Sequence, residues 1–159
     1  MKNILVVKMS SIGDVIHALP VSWAIKETYP DAHLTWVVEP PAYDIVAMDK
    51  CIDEIILFHK KEFRSFGGFL KNFGPLREKI QARDYDAVLD LQGLFKSAAV
   101  AALAKAPKGM KFVMWNMREG SKYVSQPVVG EHVHDHVIER YLKDIVGLFD
   151  AFFCIDCHF

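Results

Sequence analysis

The sequence predicts an α/β fold: a Rossmann-like, mostly parallel sheet with helices on both faces. Three observations carry this. Strand-like runs alternate with helix-like runs along the chain, the pattern of βαβ units. The strand runs are continuously apolar, as in "ILVV" (4–7), because parallel strands are covered on both faces. The length, 159 residues, suits one domain large enough to bury a core.

In order, "NILVVK" (3–8) reads as the first strand. Residues 14–29 read as helix, with Pro20 as a kink or break. "HLTWVV" (33–38) is the second strand, "PAYDIVAM" (41–48) a short helix and "EIILF" (54–58) the third strand. "GFLKNFGPLREKIQAR" (68–83) is helical, but Gly74-Pro75 is expected to interrupt it. "YDAVLDL" (85–91) is the fourth strand, "FKSAAVAALAKA" (95–106) a helix that ends at Pro107, and "KFVMW" (111–115) the fifth strand. Residues 116–130 read as loop, with Gly120, Pro127 and Gly130 among polar residues. Residues 131–149 read as a last helix, with Val133, Val137, Tyr141, Ile145 and Leu148 at helical spacing.

Composition excludes several classes. A formal net charge of −1 argues against a duplex nucleic acid held by bulk electrostatics. Four apolar residues before Lys8 are too few for a signal-peptide core. No run approaches the roughly 18 apolar residues of a membrane span. The expected location is cytoplasmic, with membrane-surface contact left open. Cys51, Cys154 and Cys157 are odd in number and do not suggest a disulfide framework. "CIDC" (154–157) is not placed between an early strand and helix, so no redox role is expected of it.

Ligands of parallel sheets bind beyond the carboxyl ends of the strands. Three stretches lie there: "KMSSIGD" (8–14), "VVEPP" (37–41) and "LDLQGLFKS" (89–97). In the first, Ser10 and Ser11 suit a helix cap, and Asp14 suits the first helical turn. The same residues suit a site that holds a reacting hydroxyl against the Asp14 carboxylate. Gly13 permits close approach of a ligand or of a neighbouring strand. A dinucleotide fingerprint or a P-loop would need more glycines than Gly13. In "HVHDH" (132–136), His132 and His136 share a helical face while His134 points away, so no metal site is expected.

"VVKMSSIGDVIHALP" (6–20) resembles the opening of the lipopolysaccharide heptosyltransferases of glycosyltransferase family 9. "TWVVEPPAYDIV" (35–46), "YDAVLDLQGLFKSAAVAALA" (85–104), "NMREGSKY" (116–123) and "HVIER" (136–140) resemble later stations of that family in the same order. The resemblance implies a GT-B fold, two Rossmann-like domains facing across a cleft. Residues 1–149 would be the N-terminal, acceptor-binding domain, 150–159 an unassigned tail, and the donor domain absent. It further implies inverting transfer of heptose from ADP-heptose to the inner-core sugar 3-deoxy-manno-octulosonic acid of lipopolysaccharide, without a cofactor. Asp14 would be the general base. Lys8, Ser10, Ser11, Gly13, Gln92 and Gly93 would border the acceptor, with Arg64 and Arg118 holding its anionic groups. The chain alone is expected to be nearly inactive, at the inner face of the inner membrane if it meets lipid. Two other readings stay open: a stand-alone Rossmann-like domain binding a nucleotide or anionic sugar, and a hydrolase using Asp14 with the histidines.

Overall fold

In the computed structural model, the described residues are 1–107, 110–113, 123–127, 136, 138, 139, 141, 142 and 145. Their strands form one parallel sheet in the order β3-β2-β1-β4-β5-β6. The strands are β1 (Asn3–Val7), β2 (His33–Val38), β3 (Glu54–Leu57), β4 (Ala87–Asp90), β5 (Lys111–Val113) and β6 (Gln126–Pro127). The helices are α1 (Ile12–Ala18), α2 (Pro20–Thr28), α3 (Tyr43–Ala47), α4 (Phe66–Gln81) and α5 (Phe95–Leu103). Short 3-10 turns at Pro40–Ala42 and Lys60–Phe63 follow β2 and β3.

Two cores explain the apolar strands. Ile4 and Val6 of β1 face one side with Leu34, Trp36 and Val38 of β2, under Val15, Ala18, Val21 and Ile25 of α1 and α2. Leu5 and Val7 face the other side with Val37 and Val88, under Leu76 and Ile80 of α4 and Val100 and Ala101 of α5. Successive strand residues point to opposite faces, so one run feeds both cores. Each fully buried Val, Leu or Ile side chain contributes about 1.5–3 kcal/mol of transfer free energy. Helices on both faces are therefore required.

Pro20 separates α1 from α2 as expected, and it stands at the first helical position of α2, where its missing N–H costs nothing. Gly74-Pro75 does not interrupt α4, which runs through it. Part of the usual clash between proline and the preceding residue involves that residue's Cβ, and Gly74 has none. The expected 116–130 loop contains a short strand, β6, which adds to the five strands read from sequence. It pairs with β5 through Phe112 opposite Gln126 and Val113 opposite Pro127. Within the expected last helix, Tyr141 and Ile145 are buried in the first core, four residues apart on one face.

The order of strands runs outward in both directions from β1 and β4. Their carboxyl ends form the topological switch point, where an open α/β sheet leaves a crevice.

Candidate active site at the switch point

Lys8 directly follows β1 and is only 4% exposed. Its Nζ donates to the Leu91 carbonyl just beyond β4 (3.2 Å) and lies 5.6 Å from the centre of the Tyr141 ring. Burial pushes the Lys8 ammonium pKa down, only partly offset by Asp14 and Asp90. Trp36 Nε1 donates to the Lys8 carbonyl (3.1 Å), fixing the strand end from below.

The backbone then turns out of the sheet. Gln92 Oε1 accepts from Met9 N (3.2 Å) and Ser10 N (3.1 Å). Its side-chain carbonyl thus takes the place of a strand partner where the ladder has ended. Gln92 is held in turn by Asp90, which is fully buried. Asp90 Oδ1 accepts from Gln92 N (3.0 Å) and Gly93 N (2.9 Å), and Oδ2 accepts from Ser97 Oγ (3.0 Å). Burial pushes the Asp90 carboxyl pKa up, against those hydrogen bonds and the Lys8 charge. Gly93 has φ 66, in the left-handed region that favours glycine, and this lets the chain turn back around Asp90 into α5.

Ser11 caps α1, joined to Ser10 by a cis peptide bond. Its N–H (3.2 Å) and Oγ (3.0 Å) both donate to Asp14 Oδ2. Among the described residues, Asp14 Oδ1 has no hydrogen-bond partner. Partial desolvation raises the Asp14 pKa, but the two Ser11 bonds, Lys8 and His17 together bring it below the usual carboxylate value. Asp14 is exposed and ionised at neutral pH.

A second pair crosses the strand ends. Lys96, in the first turn of α5, donates to Ser10 Oγ (2.8 Å) and to the Glu39 carboxylate beyond β2. Glu39 N also donates to the Met9 carbonyl (3.0 Å). Lys96 thus ties the three neighbouring loops after β2, β1 and β4.

Two hollows open on this edge. One, of about 410 Å³, is lined by Met9, Ser10, Ser11, Gly13, Glu39 and Pro41, among others. The other, of about 460 Å³, lies between Glu39–Pro41 and the turn His59–Glu62. A Cβ added at Gly13 would meet nothing within 4 Å. Close packing on a neighbouring strand therefore does not require glycine there.

The structure gathers Ser10, Ser11, Gly13, Asp14 and Gln92 at the switch point, with Gly93 shaping the turn behind them. Gln92 Oε1 and Lys8 Nζ are directed at protein groups. Arg64 is exposed at the end of the Lys60–Phe63 turn, outside both sets of lining residues. Arg118, His132, His134, the 150–159 tail and its cysteines lie outside the described residues. His136 is exposed, and its Nδ1 accepts from Ile138 N (3.4 Å), a local helix-start contact. Sequence reasoning missed the Glu39–Lys96 pair. The available signal was an opposite charge after each of two strands, but only the strand order brings those ends together.

The arrangement provides an ionised carboxylate, with no partner for Oδ1 among the described residues, next in sequence to Gly13 of the 410 Å³ hollow, although Asp14 itself is not in its lining. It suits proton acceptance from a bound hydroxyl. Comparison with known proteins shows what the chain is similar to. A profile of glycosyltransferase family 9 (heptosyltransferase) matches residues 74–151. Lipopolysaccharide heptosyltransferase 1 of Escherichia coli is 37% identical over 101 residues, which are 62% of this chain and 32% of the relative. The chain is a homologue of the glycosyltransferase family 9 heptosyltransferases.

The lipopolysaccharide core heptosyltransferase OpsX of Haemophilus influenzae is 26% identical over 141 residues, 89% of this chain and 39% of that protein. The solved E. coli heptosyltransferase WaaC, bound to ADP-2-deoxy-2-fluoro heptose, superposes with a TM-score of 0.75 at 30% identity. That match covers 91% of this chain and 47% of the WaaC chain. The fold is thus that of the matched half of a GT-B glycosyltransferase. The chain spans about a third of the length of the first curated relatives it matches.

Proposed function

We propose that this heptosyltransferase homologue is the acceptor-binding part of an inverting enzyme that moves heptose from ADP-heptose to 3-deoxy-manno-octulosonic acid of the lipopolysaccharide inner core. The observation that supports the reading is Asp14: an ionised carboxylate just beyond β1, with Oδ1 unpartnered among the described residues, held by Ser11, which with Gly13 lines a 410 Å³ hollow. The acceptor hydroxyl gives its proton to Asp14 as its oxygen attacks the anomeric carbon. The bond to ADP breaks on the opposite face, and ADP leaves with the electron pair. A neutral hydroxyl is a weak nucleophile, so a positioned base contributes about 10²–10⁴-fold. The two Ser11 bonds hold Asp14 in one orientation and keep it charged. Ser10, Ser11 and Gly13 offer hydroxyls and accessible backbone to the sugar. Gln92 and Lys96 shape that loop.

In this reading residues 1–149 form the acceptor lobe, the ADP-heptose donor is held by a second lobe, and the chain alone transfers heptose poorly. The site works at the cytoplasmic face of the inner membrane, where Arg64 and Arg118 meet acidic groups of the acceptor. Calorimetric titration tests the assignment, with delipidated inner-core sugar in one run and ADP in another. Sugar binding that weakens in Ser10→Ala is the expected result. Binding of ADP alone would replace this reading with a nucleotide-binding domain.

A further inference from the structure

The turn Lys60–Phe63 meets the start of α4 at a point where a side chain has no room. Ser65 caps α4, and its Oγ accepts from Gly68 N (3.1 Å). A Cβ added at Gly68 would stand 2.1 Å from the Glu62 carbonyl oxygen and 2.9 Å from Ser65 Oγ. The first of these contacts is with backbone, so no side-chain rotation relieves it. Any other residue at 68 pushes the turn and the helix apart. A Cβ at the neighbouring Gly67 would meet nothing within 4 Å. The two adjacent glycines therefore differ, and the close approach belongs to Gly68.

A column of rings holds the same turn. Phe63 stacks on Phe58 at 5.1 Å between centroids and meets Phe69 edge-on at 6.2 Å. Phe58 directly follows β3 and is buried in the second core, so the column ties the turn to the sheet. Phe69 stacks in turn on Phe73, further along α4, at 5.1 Å. Such ring pairs attract beyond the area they bury. The turn is thus fixed at Glu62 by close approach and at Phe63 by stacking.

Residues 59–62 form one side of the 460 Å³ hollow. Glu39 and Pro41 line this hollow and also the 410 Å³ hollow of Ser11 and Gly13, so the two spaces adjoin. We propose that Gly68 is a positioning residue for the acceptor: it seats Glu62 against α4 and, with Phe63, holds residues 59–62 as a preformed wall for the part of the acceptor that extends past Ser11 and Gly13. The inference rests on the acceptor reading given above. Gly68 and Phe63 are outside the lining of the hollow and act through the turn. A wall that is set before the ligand arrives need not be ordered on binding, and affinity gains by that saving.

Calorimetry with delipidated inner-core sugar, together with amide NMR spectra of the whole chain, tests the proposal. Gly68→Ala should bind the sugar about tenfold more weakly. Its amide signals at residues 59–63 should shift, while those of β1 and β4 stay in place and show that the variant folds. Gly67→Ala is the matched control. It should bind like wild type, with an equal or higher unfolding midpoint, because alanine is the better helix former. Phe63→Ala removes the ring contact alone and should also lose about tenfold in affinity; it decides the matter if Gly68→Ala does not fold. Wild-type affinity in Gly68→Ala, unmoved amide signals at 59–63, or an equal loss in Gly67→Ala overturns the proposal. If the wild type binds no sugar, the acceptor reading fails by itself. Shifted signals at 59–63 in Gly68→Ala then still uphold the preformed wall, and unmoved ones overturn it.

Discussion

The two edges of the sheet both carry charged residues, but they use them differently. At the amino edge, His33 and Arg83 share Glu54 Oε2 (3.1 and 3.0 Å), and Lys26 meets Asp53 Oδ2 (2.7 Å). Asp53 Oδ2 also accepts from Leu34 N (2.7 Å), and Asp86 Oδ2 accepts from Asn3 N (3.0 Å). These carboxylates close strand starts. At the carboxyl edge the charges tie loops that border two hollows, and Asp14 Oδ1 has no partner among the described residues. The difference teaches that charge density alone does not mark a site. What marks it is a charged group that the fold orients without using up its capacity to bind.

Mutations at the two edges should therefore separate activity from stability. The largest effect is expected from Asp14→Asn in an enzyme assembled from this chain and a donor-binding lobe. Transfer should fall about 10²–10⁴-fold, with the unfolding midpoint nearly unchanged. Transfer within tenfold of wild type would remove Asp14 from the mechanism.

Asp90→Ala should do the reverse and act on the fold. It strands the Gln92 and Gly93 amides in a buried turn, for a loss of about 2–4 kcal/mol in urea unfolding. A loss below about 1 kcal/mol would mean that water replaces the carboxylate there. Lys96→Met lies between the two. Its ties to Ser10 and Glu39 shape the hollow, so acceptor affinity should drop about tenfold by calorimetry, with a smaller effect on stability.

The pH dependence of stability should split the edges as well. Asp53 and Glu54 have carboxyl pKa values below the usual range. Burial pushes each up, but hydrogen bonds to Leu34 and Lys26, and to Arg83 and His33, outweigh it. Their stabilisation is present above the unfolded carboxylate pKa of about 4 and is lost as pH falls through the folded value. Asp90 has the opposite sign, because burial raises its pKa. Its contribution is fully present below about pH 4 and is lost as pH rises through the folded value. Asp90→Asn should therefore remove a loss of stability on the neutral side, read from urea midpoints between pH 4 and pH 7. An unchanged profile would show that Asp90 is ionised at the same pH folded and unfolded. The smallest effect belongs to Arg83→Ala. That side chain is 42% exposed, and the change should cost less than about 1 kcal/mol and leave acceptor binding intact. A tenfold loss of sugar binding in this variant would break the division between the edges.

Much of this was legible in the sequence. Continuous apolar runs identified β1 to β4 because strands covered on both faces leave no polar alternation. Ser11 and Asp14 were legible because capping chemistry acts over three residues and needs no distant partner. The passage of α4 through Pro75 was not legible, because the proline signal was read without the relief that Gly74 gives. β6 was not legible either: two residues are too few for a pattern, and pairing with β5 is what makes them a strand. Among the side chains, the contact of Gln92 Oε1 with Met9 N and Ser10 N was not legible, because it is set by the distance between two strand ends.

By itself, the sequence determined which segments become strands and helices, and the local cap that holds Asp14. Those depend on periodicity and on contacts a few residues apart. The tertiary structure alone decided that β1 lies between β2 and β4. From that follow the Lys96 bridge across 57 residues to Glu39, the burial of Lys8 under Tyr141, and the hollow lined by Ser11 and Gly13. Partners so distant along the chain leave no local pattern, and only the packing of the sheet brings them within a hydrogen bond.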